Sequence, residues 1–387
     1  MASLTVSNAT AGFIARGHPW VRPDRFTRGL DRLQPGEAVD LVDQRQRPLA
    51  SALADPQAEI CARVYARQPG VAFDAAAALR RAWTRRAALH GDPATDCYRV
   101  VHGEADGLPG VRIERFGSVI VVLLLAGCAE PWLETILATT QELFPHAQVL
   151  LRTHRDDLRR SAVADRAYGA WSIDPERIVP GRELGATYPL RPLGGLATGL
   201  YCDQRATRVR LGALASGRTV LNLFAYTGAF SIHLLRAGAS RAVDVDSASV
   251  ALARGAEAAG LNGVAERRVG VRDDCRRFLE RSQERFDLVL CDPPTSSQGD
   301  DGWILRRDYP GLLALCLQAL APAGLLVACV NTLGGKPFPL TQELGAAAEA
   351  QGLVLRPEPG FALAADIPQL EGFPEGRPYR LAALRRA

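Results

Sequence analysis

The sequence predicts an α/β protein whose C-terminal half forms a parallel, doubly wound sheet and follows two smaller domains. The chain of 387 residues is longer than one hydrophobic core usually serves, so we expect two or three domains. From about residue 195 onward, strand-like and helix-like segments alternate, which is typical of a parallel sheet with helices on both faces. Apolar residues make up 47% of the chain, enough to fill a core in each domain.

The first region, residues 1–72, reads as a small domain of short strands joined by turns. Pro35 and Gly36 form a turn signal before the strand-like segment Ala38–Val42. A further strand is predicted over residues 60–65.

The second region, residues 73–190, shows an α+β pattern. A basic helix is predicted over 74–89 and another helix over 132–143. Strand-like segments occur at 98–101, 111–114, 119–125 and 149–152.

The third region, residues 191–387, carries the strand-helix alternation. Helices are predicted over 247–260 and 309–320. The predicted strands are 219–224, 241–245, 266–271, 286–291 and 324–330.

Several classes of protein are excluded by what the sequence lacks. No run of about 18 uncharged apolar residues is present, so we expect no transmembrane helix. The N-terminus does not resemble a secretory signal, so we expect a cytosolic protein. The eight cysteines form no C-x-x-C pair and the six histidines have no ligand-like spacing, which argues against a metal site or disulfides. The net charge of +4 does not establish a nucleic-acid partner.

The first sign of chemistry is an apolar strand that runs into a turn of small residues and then a helix, over residues 220–231. Ala225 and Gly228 permit a ligand to approach the backbone at the carboxyl end of this strand. Taken alone, the segment also fits an ordinary tight turn. It lacks G-x-G-x-x-G, which lowers the case for NAD or FAD.

Acidic residues follow the next two strands. Asp246, with Ser247 after it, ends the second strand, where a carboxylate can accept both hydroxyls of a ribose. Asp244 competes for this role from the same face, but Asp246 is nearer the carboxyl end; an exposed strand-end acid is the alternative. Asp274 follows the third strand and can accept from an adenine amino group, with Cys275 beside the ring, or can cap a helix.

The most specific pattern is Asp292-Pro293-Pro294, which ends the apolar strand over 286–291. Two successive prolines fix the backbone and have no amide donors of their own. Their carbonyls point out of a rigid loop, where a flat nitrogen base can donate to them, and Asp292 lies at the mouth of the cleft. A purely structural turn is the alternative, but four signs in order along one sheet favour a cofactor cleft.

These segments resemble the bacterial large-subunit ribosomal RNA methyltransferases that carry an N-terminal PUA domain. The matching stretches are 198–205, 222–228 and 292–294, while 17–21 and 103–110 are similar to the family's PUA opening and central-domain signature. The family includes 23S rRNA cytosine-C5 methyltransferases, and the related catalytic half of a 23S guanine-N7 methyltransferase carries a similar pattern. The resemblance covers nearly the whole chain.

The resemblance implies a PUA-like β-barrel over 1–72, an α+β domain over 73–190 and a class I, Rossmann-like methyltransferase domain over 191–387. It implies S-adenosylmethionine as the methyl donor and RNA binding by the first domain. Asp203, Gln204 and Arg205 would line the cleft, with Asp203 and Arg205 towards RNA. By matching positions, the resemblance places Phe224, Thr227 and Gly228 at the methionine part of the cofactor, Asp246 at the ribose and Asp274 at the adenine. The full set of predicted cofactor residues is Gln204, Phe224, Ala225, Tyr226, Thr227, Gly228, Asp246, Ser247, Asp274, Cys275 and Asp292.

Departures from the family pattern bear on which atom is methylated. Cytosine-C5 enzymes need a cysteine thiolate to attack the ring, and C5 members of the family place it in a Ser-Cys-Ser segment after the fifth strand. Asn331 occupies that position here, and Cys329 lies two residues earlier and deeper on the same face. Thr295 and the downstream asparagine are closer to the guanine-N7 type, which needs no covalent intermediate. Ala197 stands where the family usually has lysine.

The leading hypothesis is methylation of a base of ribosomal RNA, in particular 23S rRNA. The base would leave its stack to reach the Asp292 loop. A basic-aromatic edge for RNA is predicted at His18, Trp20, Arg22 and Arg25. Trp20 can instead be barrel core, and the arginines of the predicted helix, at 80, 81, 85 and 86, can be a solvated face.

The predicted catalytic residues are Asp292, Pro293, Pro294 and Asn331, with Cys329 added if the target is carbon. Two other hypotheses stay open: a methyltransferase acting on a small molecule or protein, and an RNA-binding module that has lost activity. We expect no membrane or metal partner. A homodimer is one option for the oligomeric state, which the sequence does not determine.

Overall fold

The computed structural model describes residues 2–154, 164–296, 302–331 and 337–387 and separates into two compact units. The first unit comprises Met1–Gly185, Leu190–Thr198 and Ala365–Gly376. The second unit comprises Ala186–Pro189, Gly199–Ala364 and Arg377–Ala387. None of the helices within the described ranges has the length and apolar character needed to span a bilayer.

The first unit begins with a five-stranded sheet. Its strands are β1 (Ala2–Thr5), β2 (Trp20–Val21), β3 (Ala38–Val42), β4 (Pro48–Ala54) and β5 (Ala62–Ala66). Their order is β1-β3-β4-β5-β2, and only the β1–β3 pair is parallel. One face of the sheet covers a small core that includes Leu4, Val39 and Leu41.

Between β1 and β2 lies helix α1 (Asn8–Ala15), which corrects our expectation that residues 1–72 contain only strands and turns. The side chain of Ser7 accepts a hydrogen bond of 3.2 Å from the Thr10 amide and so caps the first turn. The strand predicted over 60–65 begins later than expected, at Ala62.

The first unit continues with a second five-stranded sheet and three helices. The helices are α2 (Ala75–Arg85), α3 (Ala87–His90) and α4 (Leu133–Leu143). The strands are β6 (Cys97–His102), β7 (Val111–Phe116), β8 (Val119–Leu124), β9 (Gln148–Thr153) and β10 (Ala164–Tyr168). Their order is β10-β9-β8-β7-β6, with β8 and β9 parallel and the other pairs antiparallel.

The single helix predicted over 74–89 is interrupted at Arg86, which is fully buried. Its guanidinium donates two hydrogen bonds of 2.7 Å to the Asp106 carboxylate and one of 3.1 Å to the Arg99 carbonyl. Because a buried charge needs such a partner, Arg86 belongs to the core and not to the solvated face that we considered for this helix. Arg81 is exposed.

Two short strands come next in the chain, β11 (Val179–Glu183) and β12 (Ala186–Leu190). The helices of the second unit are α5 (Arg205–Gly212), α6 (Ala229–Arg236), α7 (Ser249–Leu261), α8 (Cys275–Arg281), α9 (Leu305–Gln318) and α10 (Leu340–Ala350). Its large sheet contains β13 (Thr219–Leu223), β14 (Arg241–Asp246), β15 (Arg268–Arg272), β16 (Phe286–Cys291), β17 (Leu320–Asn331), β18 (Leu355–Pro357) and β19 (Tyr379–Arg386).

The large sheet confirms the predicted α/β, Rossmann-like architecture. Its order is β15-β14-β13-β16-β17-β19-β18, with the first five strands parallel and β19 antiparallel to its neighbours. The register sets Leu223 beside both Val245 and Cys291. The loops that follow β13, β14 and β16 therefore emerge side by side at one edge, where ligands of such sheets bind.

The helix predicted over 309–320 begins earlier, at Leu305, and contains Pro310. The Asp308 carboxylate accepts a hydrogen bond of 2.8 Å from the Ile304 amide, which satisfies a donor at the helix start that would otherwise lack a partner.

Candidate active site

The loop after β13 has an unusual backbone. Phe224 and Tyr226 have φ angles of 54° and 53°, in the left-handed region that residues other than glycine rarely adopt. The Tyr226 amide donates a hydrogen bond of 2.7 Å to Asp246 Oδ2, and Thr227 Oγ1 donates one of 2.7 Å to the Gly199 carbonyl. These bonds hold a strained conformation of the kind that is concentrated at ligand sites.

Gly228 ends this loop with a φ of 70°, and a Cβ added there would clash with the Asp244 carboxylate. Asp244 is fully buried and accepts hydrogen bonds from Asn222 Nδ2 at 3.0 Å, from Ser231 Oγ and from Arg268 Nε at 2.6 Å. Burial raises the pKa of Asp244, while Arg268 opposes this shift. These partners give Asp244 a structural role behind the loop.

Asp246 lies at the end of β14, beside the loop. Its Oδ1 accepts a hydrogen bond of 2.8 Å from the Ala248 amide, in addition to the Tyr226 amide on Oδ2. An ionised carboxylate offers about four acceptor positions, so both oxygens can take another donor. Of the two aspartates considered from sequence, Asp246 is the one that keeps free acceptor positions, and its ribose role stays a prediction. Ser247, the next residue, is exposed.

We expect Asp246→Ala to weaken binding of S-adenosylmethionine by roughly 10- to 100-fold, because hydrogen bonds to a charged group contribute about 1.5–3 kcal/mol. Isothermal titration calorimetry measures this directly. Asp287→Ala is the matched control, since Asp287 accepts a hydrogen bond of 2.8 Å from the Thr219 amide at the opposite end of the sheet. Equal affinities for Asp246→Ala and the wild type would remove Asp246 from the cofactor site.

After β15, Asp274 caps the start of helix α8, which is the alternative role that the sequence left open. Its Oδ1 accepts hydrogen bonds of 3.0 Å from the amides of Arg276 and Arg277. Among the described residues, Asp274 Oδ2 has no such bond, so the adenine role stays a prediction. The neighbouring Cys275 is buried, and its Sγ accepts a hydrogen bond of 3.3 Å from the Phe224 amide, which joins it to the loop after β13.

Asp292 follows β16 and shares a buried polar cluster with Gln204. Gln204 Nε2 donates a hydrogen bond of 3.1 Å to Asp292 Oδ2. Asp292 Oδ1 and Gln204 Oε1 are both buried and have no hydrogen-bond partner among the described residues. Burial raises the pKa of Asp292 to about 7, and the nearby Asp203 carboxylate adds to the shift. Because buried acceptors are rarely left unpaired, two on contacting side chains indicate a ligand that brings N–H donors.

Asn331 lies next to the Asp-Pro-Pro segment, as the sequence suggested. Its Nδ2 approaches the Pro293 carbonyl at 3.5 Å, a long hydrogen bond. Cys329 is deeper, with 2% of its surface exposed, and its Sγ accepts a hydrogen bond of 3.6 Å from Gln204 Nε2. Burial raises the pKa of the Cys329 thiol well above its usual value, and Asp292 raises it further. The thiol is therefore protonated at neutral pH.

Two aromatic residues around this loop were missed by the sequence analysis. Trp303 Nε1 donates a hydrogen bond of 2.7 Å to the Pro294 carbonyl, and its ring centroid lies 5.3 Å from that of Phe224. Tyr309 donates a hydrogen bond of 2.8 Å to the Cys329 carbonyl. Tyr309 also donates one of 3.2 Å to the Cys291 carbonyl, directly before Asp292, so the two aromatic residues hold the Asp-Pro-Pro segment at both ends. A large aromatic residue nine positions after a Pro-Pro pair was the only sequence signal for Trp303.

The two other cleft candidates occupy different environments. Asp203 lies in the short turn before α5 and is half-buried. Arg205 opens α5 and is only 7% exposed, so RNA contact through its side chain stays a prediction.

The four RNA candidates of the first unit divide into two pairs. Trp20 donates a hydrogen bond of 2.8 Å from Nε1 to Glu104, and His18 contacts Glu375 at 3.3 Å, so both are held within the unit. Arg22 and Arg25 are exposed, and the Arg25 guanidinium lies 4.7 Å from the centre of the Phe26 ring.

All eight cysteines are free and buried. Within the described ranges, no three His, Cys, Asp or Glu side chains converge as they would around a metal ion.

Comparison with protein families matches both parts of the chain. The family described as S-adenosylmethionine-dependent methyltransferase matches residues 158–365, and a PUA-like domain matches residues 4–67. The protein named Ribosomal RNA large subunit methyltransferase I from Klebsiella pneumoniae is 32% identical over 383 residues, which covers 96% of this chain and 95% of that protein. The protein of the same name from Erwinia tasmaniensis is 32% identical over 374 residues, with 94% of each chain covered.

Solved structures agree on the fold. A protein from Streptococcus mutans described as a SAM-dependent methyltransferase has a TM-score of 0.82 at 20% identity, with 100% of both chains covered. A methyltransferase structure with bound SAH gives the same values. Together with the matches in sequence, this shows that the chain belongs to the S-adenosylmethionine-dependent methyltransferase family and carries a PUA-like domain.

Proposed function

We propose that this protein methylates a ring nitrogen of a base in large-subunit ribosomal RNA, with 23S rRNA as the substrate. The relatives named above, which match almost the whole chain, support the RNA substrate. The observation that carries the choice of a base is the pair of unpartnered buried oxygens, Asp292 Oδ1 and Gln204 Oε1. A flat base with N–H groups on one edge would satisfy both.

The cofactor residues fit an extended nucleoside ligand. When bound, S-adenosylmethionine supplies an electrophilic methyl group on a sulfonium. The strained turn over residues 224–228 would meet the cofactor at the carboxyl end of β13, and Asp246 would accept its ribose hydroxyls. Asp274 Oδ2 and the buried Cys275 would line the adenine end.

Asp292 and Gln204 would orient the target base. Guanine offers two donors on one edge, the ring N–H and the amino group, and keeps a lone pair on the opposite nitrogen N7. Two acceptors at the Asp-Pro-Pro loop can hold that edge and leave N7 unprotonated and ready to react. Since N7 already has its lone pair, alignment of the base supplies much of the acceleration and no covalent intermediate is required.

The rival proposal is methylation of cytosine C5, which would use Cys329 as a nucleophile. The buried, protonated thiol and its hydrogen bond from Gln204 weigh against it. Asn331, at the family's cysteine position, has no nucleophilic side chain. An inactive RNA-binding module would fail to bind S-adenosylmethionine, and an enzyme for small molecules or proteins would transfer methyl without RNA.

We also infer a division into domains at 1–72, 73–190 and 191–387, which the separate sheets β1–β5, β6–β10 and β13–β19 support. A cytosolic location accords with a ribosomal RNA substrate.

Cys329→Ala separates the nitrogen and carbon mechanisms. We expect the variant to retain methyl transfer to ribosomal RNA within about threefold, since only a buried sulfur is lost, and to lose about 1–2 kcal/mol of stability. Cys316→Ala is the matched control, because Cys316 is equally buried but lies in α9. Loss of all activity in Cys329→Ala, with Cys316→Ala active and both variants folded, would overturn the nitrogen proposal in favour of C5.

A further inference from the structure

Tyr201 differs from every other tyrosine in the chain. All eight tyrosines are described, and Tyr201 is the one exposed member, with 56% of its surface accessible. A single exposed side chain is common on protein surfaces and does not by itself indicate a binding site. Whether Tyr201 belongs to one depends on the residues around it.

The backbone around Tyr201 is held on both sides. The Gly199 carbonyl accepts the hydrogen bond from Thr227 in the cofactor loop, and the Tyr201 carbonyl accepts one of 2.9 Å from Arg208 Nη2. Three residues later, Gln204 donates to Asp292. Tyr201 therefore lies on a short segment that runs from the cofactor loop to the carboxylate proposed to orient the base.

The ring of Tyr201 is also supported from one side. Its centroid lies 5.4 Å from that of Tyr226, with the two planes tilted by 44°. Tyr226 is itself fixed by the positive φ of its backbone and by the hydrogen bond from its amide to Asp246. A tyrosine ring on a fixed backbone is a rigid apolar surface that loses little conformational entropy when a ligand covers it.

The hydroxyl of Tyr226 adds a second, independent observation. It is buried close to the Gly199 backbone amide, no group in the described part of the chain accepts a hydrogen bond from its O–H, and burial raises its pKa to about 12. The phenol therefore remains protonated and presents one donor without a partner. A polar ligand atom beside the two rings would satisfy it.

We infer that the Tyr201 ring forms the stacking surface for the extruded target nucleotide. The Tyr226 ring supports Tyr201 from beside it, and the Tyr226 hydroxyl donates a hydrogen bond to an oxygen of that nucleotide. This rests on the proposed function, since a base that leaves its stack must find a new aromatic face in the enzyme. Stacking on an aromatic side chain does not depend on hydrogen bonds, so the ring of Tyr201 supplies affinity while Asp292 and Gln204 supply selectivity.

The test compares Tyr201→Ala, Tyr201→Phe and the control Leu261→Ala in methyl transfer to large-subunit ribosomal RNA from cells that lack the gene. Leu261 is 58% exposed at the far end of α7. We expect Tyr201→Ala to lower kcat/KM for RNA by roughly 5- to 150-fold, the range measured for loss of one stacking side chain. Tyr201→Phe and Leu261→Ala should stay within about twofold of the wild type, and the Kd for S-adenosylmethionine should be unchanged in all three.

The inference is overturned by wild-type kcat/KM in Tyr201→Ala, by equal losses in Tyr201→Ala and Tyr201→Phe, or by a weaker Kd for S-adenosylmethionine that accounts for the whole loss. If the wild-type protein transfers no methyl group to RNA, both the proposed function and the stacking role are rejected. Activity of the wild-type protein with an unaffected Tyr201→Ala rejects the stacking role alone.

Discussion

Asp292→Asn is expected to lower methyl transfer by about 100-fold or more while the protein still binds S-adenosylmethionine. The carboxylate presents only acceptors, whereas an amide must turn its NH₂ either towards Gln204 Nε2 or towards the donors of the base. Loss of one oriented polar group at a reacting centre typically costs this much in rate. Single-turnover methyl transfer with saturating cofactor measures the effect, and calorimetry with the cofactor checks that its site is intact.

The same variant has a pH signature. With a pKa of about 7, Asp292 becomes an acceptor on both oxygens only as pH rises through neutrality, so the wild-type rate should rise between pH 6 and 8. The residual rate of Asp292→Asn should lack this rise. A variant that matches the wild type in rate and pH profile would show that Asp292 does not contact the base.

The stability of the wild-type protein should fall over the pH range in which its rate rises. The pKa of Asp292 is raised from 3.8 to about 7 on folding, so the protonated carboxyl stabilises the folded protein. That contribution is fully present below about pH 4 and is lost as pH rises through 7. At pH 8 the free energy of unfolding of Asp292→Asn should therefore exceed that of the wild type by up to about 4 kcal/mol. This difference should shrink as the pH is lowered towards 4. Urea denaturation at both pH values measures this.

Gly228→Ala is expected to abolish binding of S-adenosylmethionine and to destabilise the protein by about 3 kcal/mol or more. A side chain at φ 70° costs about 1–2 kcal/mol in backbone conformation alone. The new Cβ would also clash with Asp244, which binds Asn222, Ser231 and Arg268 in a buried network. Disturbing such a network removes several hydrogen bonds together.

Gly260→Ala provides the matched control for that substitution. Gly260 lies in α7, and a Cβ there would meet nothing within 4 Å, so alanine should stabilise the protein by about 0.5–1 kcal/mol. Urea denaturation and cofactor titration of both variants make the comparison. Normal stability and normal affinity in Gly228→Ala would show that the turn after β13 tolerates side chains and is not shaped for the cofactor.

Much of the catalytic fold could be predicted from the sequence because its signals are local. The strand over 286–291 matches β16 residue for residue, since an apolar run bounded by polar residues and prolines leaves little freedom in placing it. Parallel strands also align their carboxyl ends, so the segments that follow successive strands were expected to line one cleft. The structure places Asp246 and the 224–228 turn together, as it does Asp292, Asn331 and Gln204.

Other features depend on contacts that sequence spacing cannot reveal. The break at Arg86 arises from Asp106, twenty residues away, and the choice between Asp244 and Asp246 depends on Arg268. The unpartnered oxygens of Asp292 and Gln204 are visible only once burial is known, because 88 residues separate the two side chains in sequence. Helix α1 is short, and its Ser7 cap was its clearest signal.

Methylation of a ring nitrogen in ribosomal RNA can be tested by transfer of labelled methyl from S-adenosylmethionine to ribosomal RNA of cells that lack the gene. Nucleoside mass spectrometry then identifies the product. We expect label in a nitrogen-methylated purine of large-subunit RNA. Label in 5-methylcytidine, or no label in any RNA by protein that binds the cofactor, would contradict it.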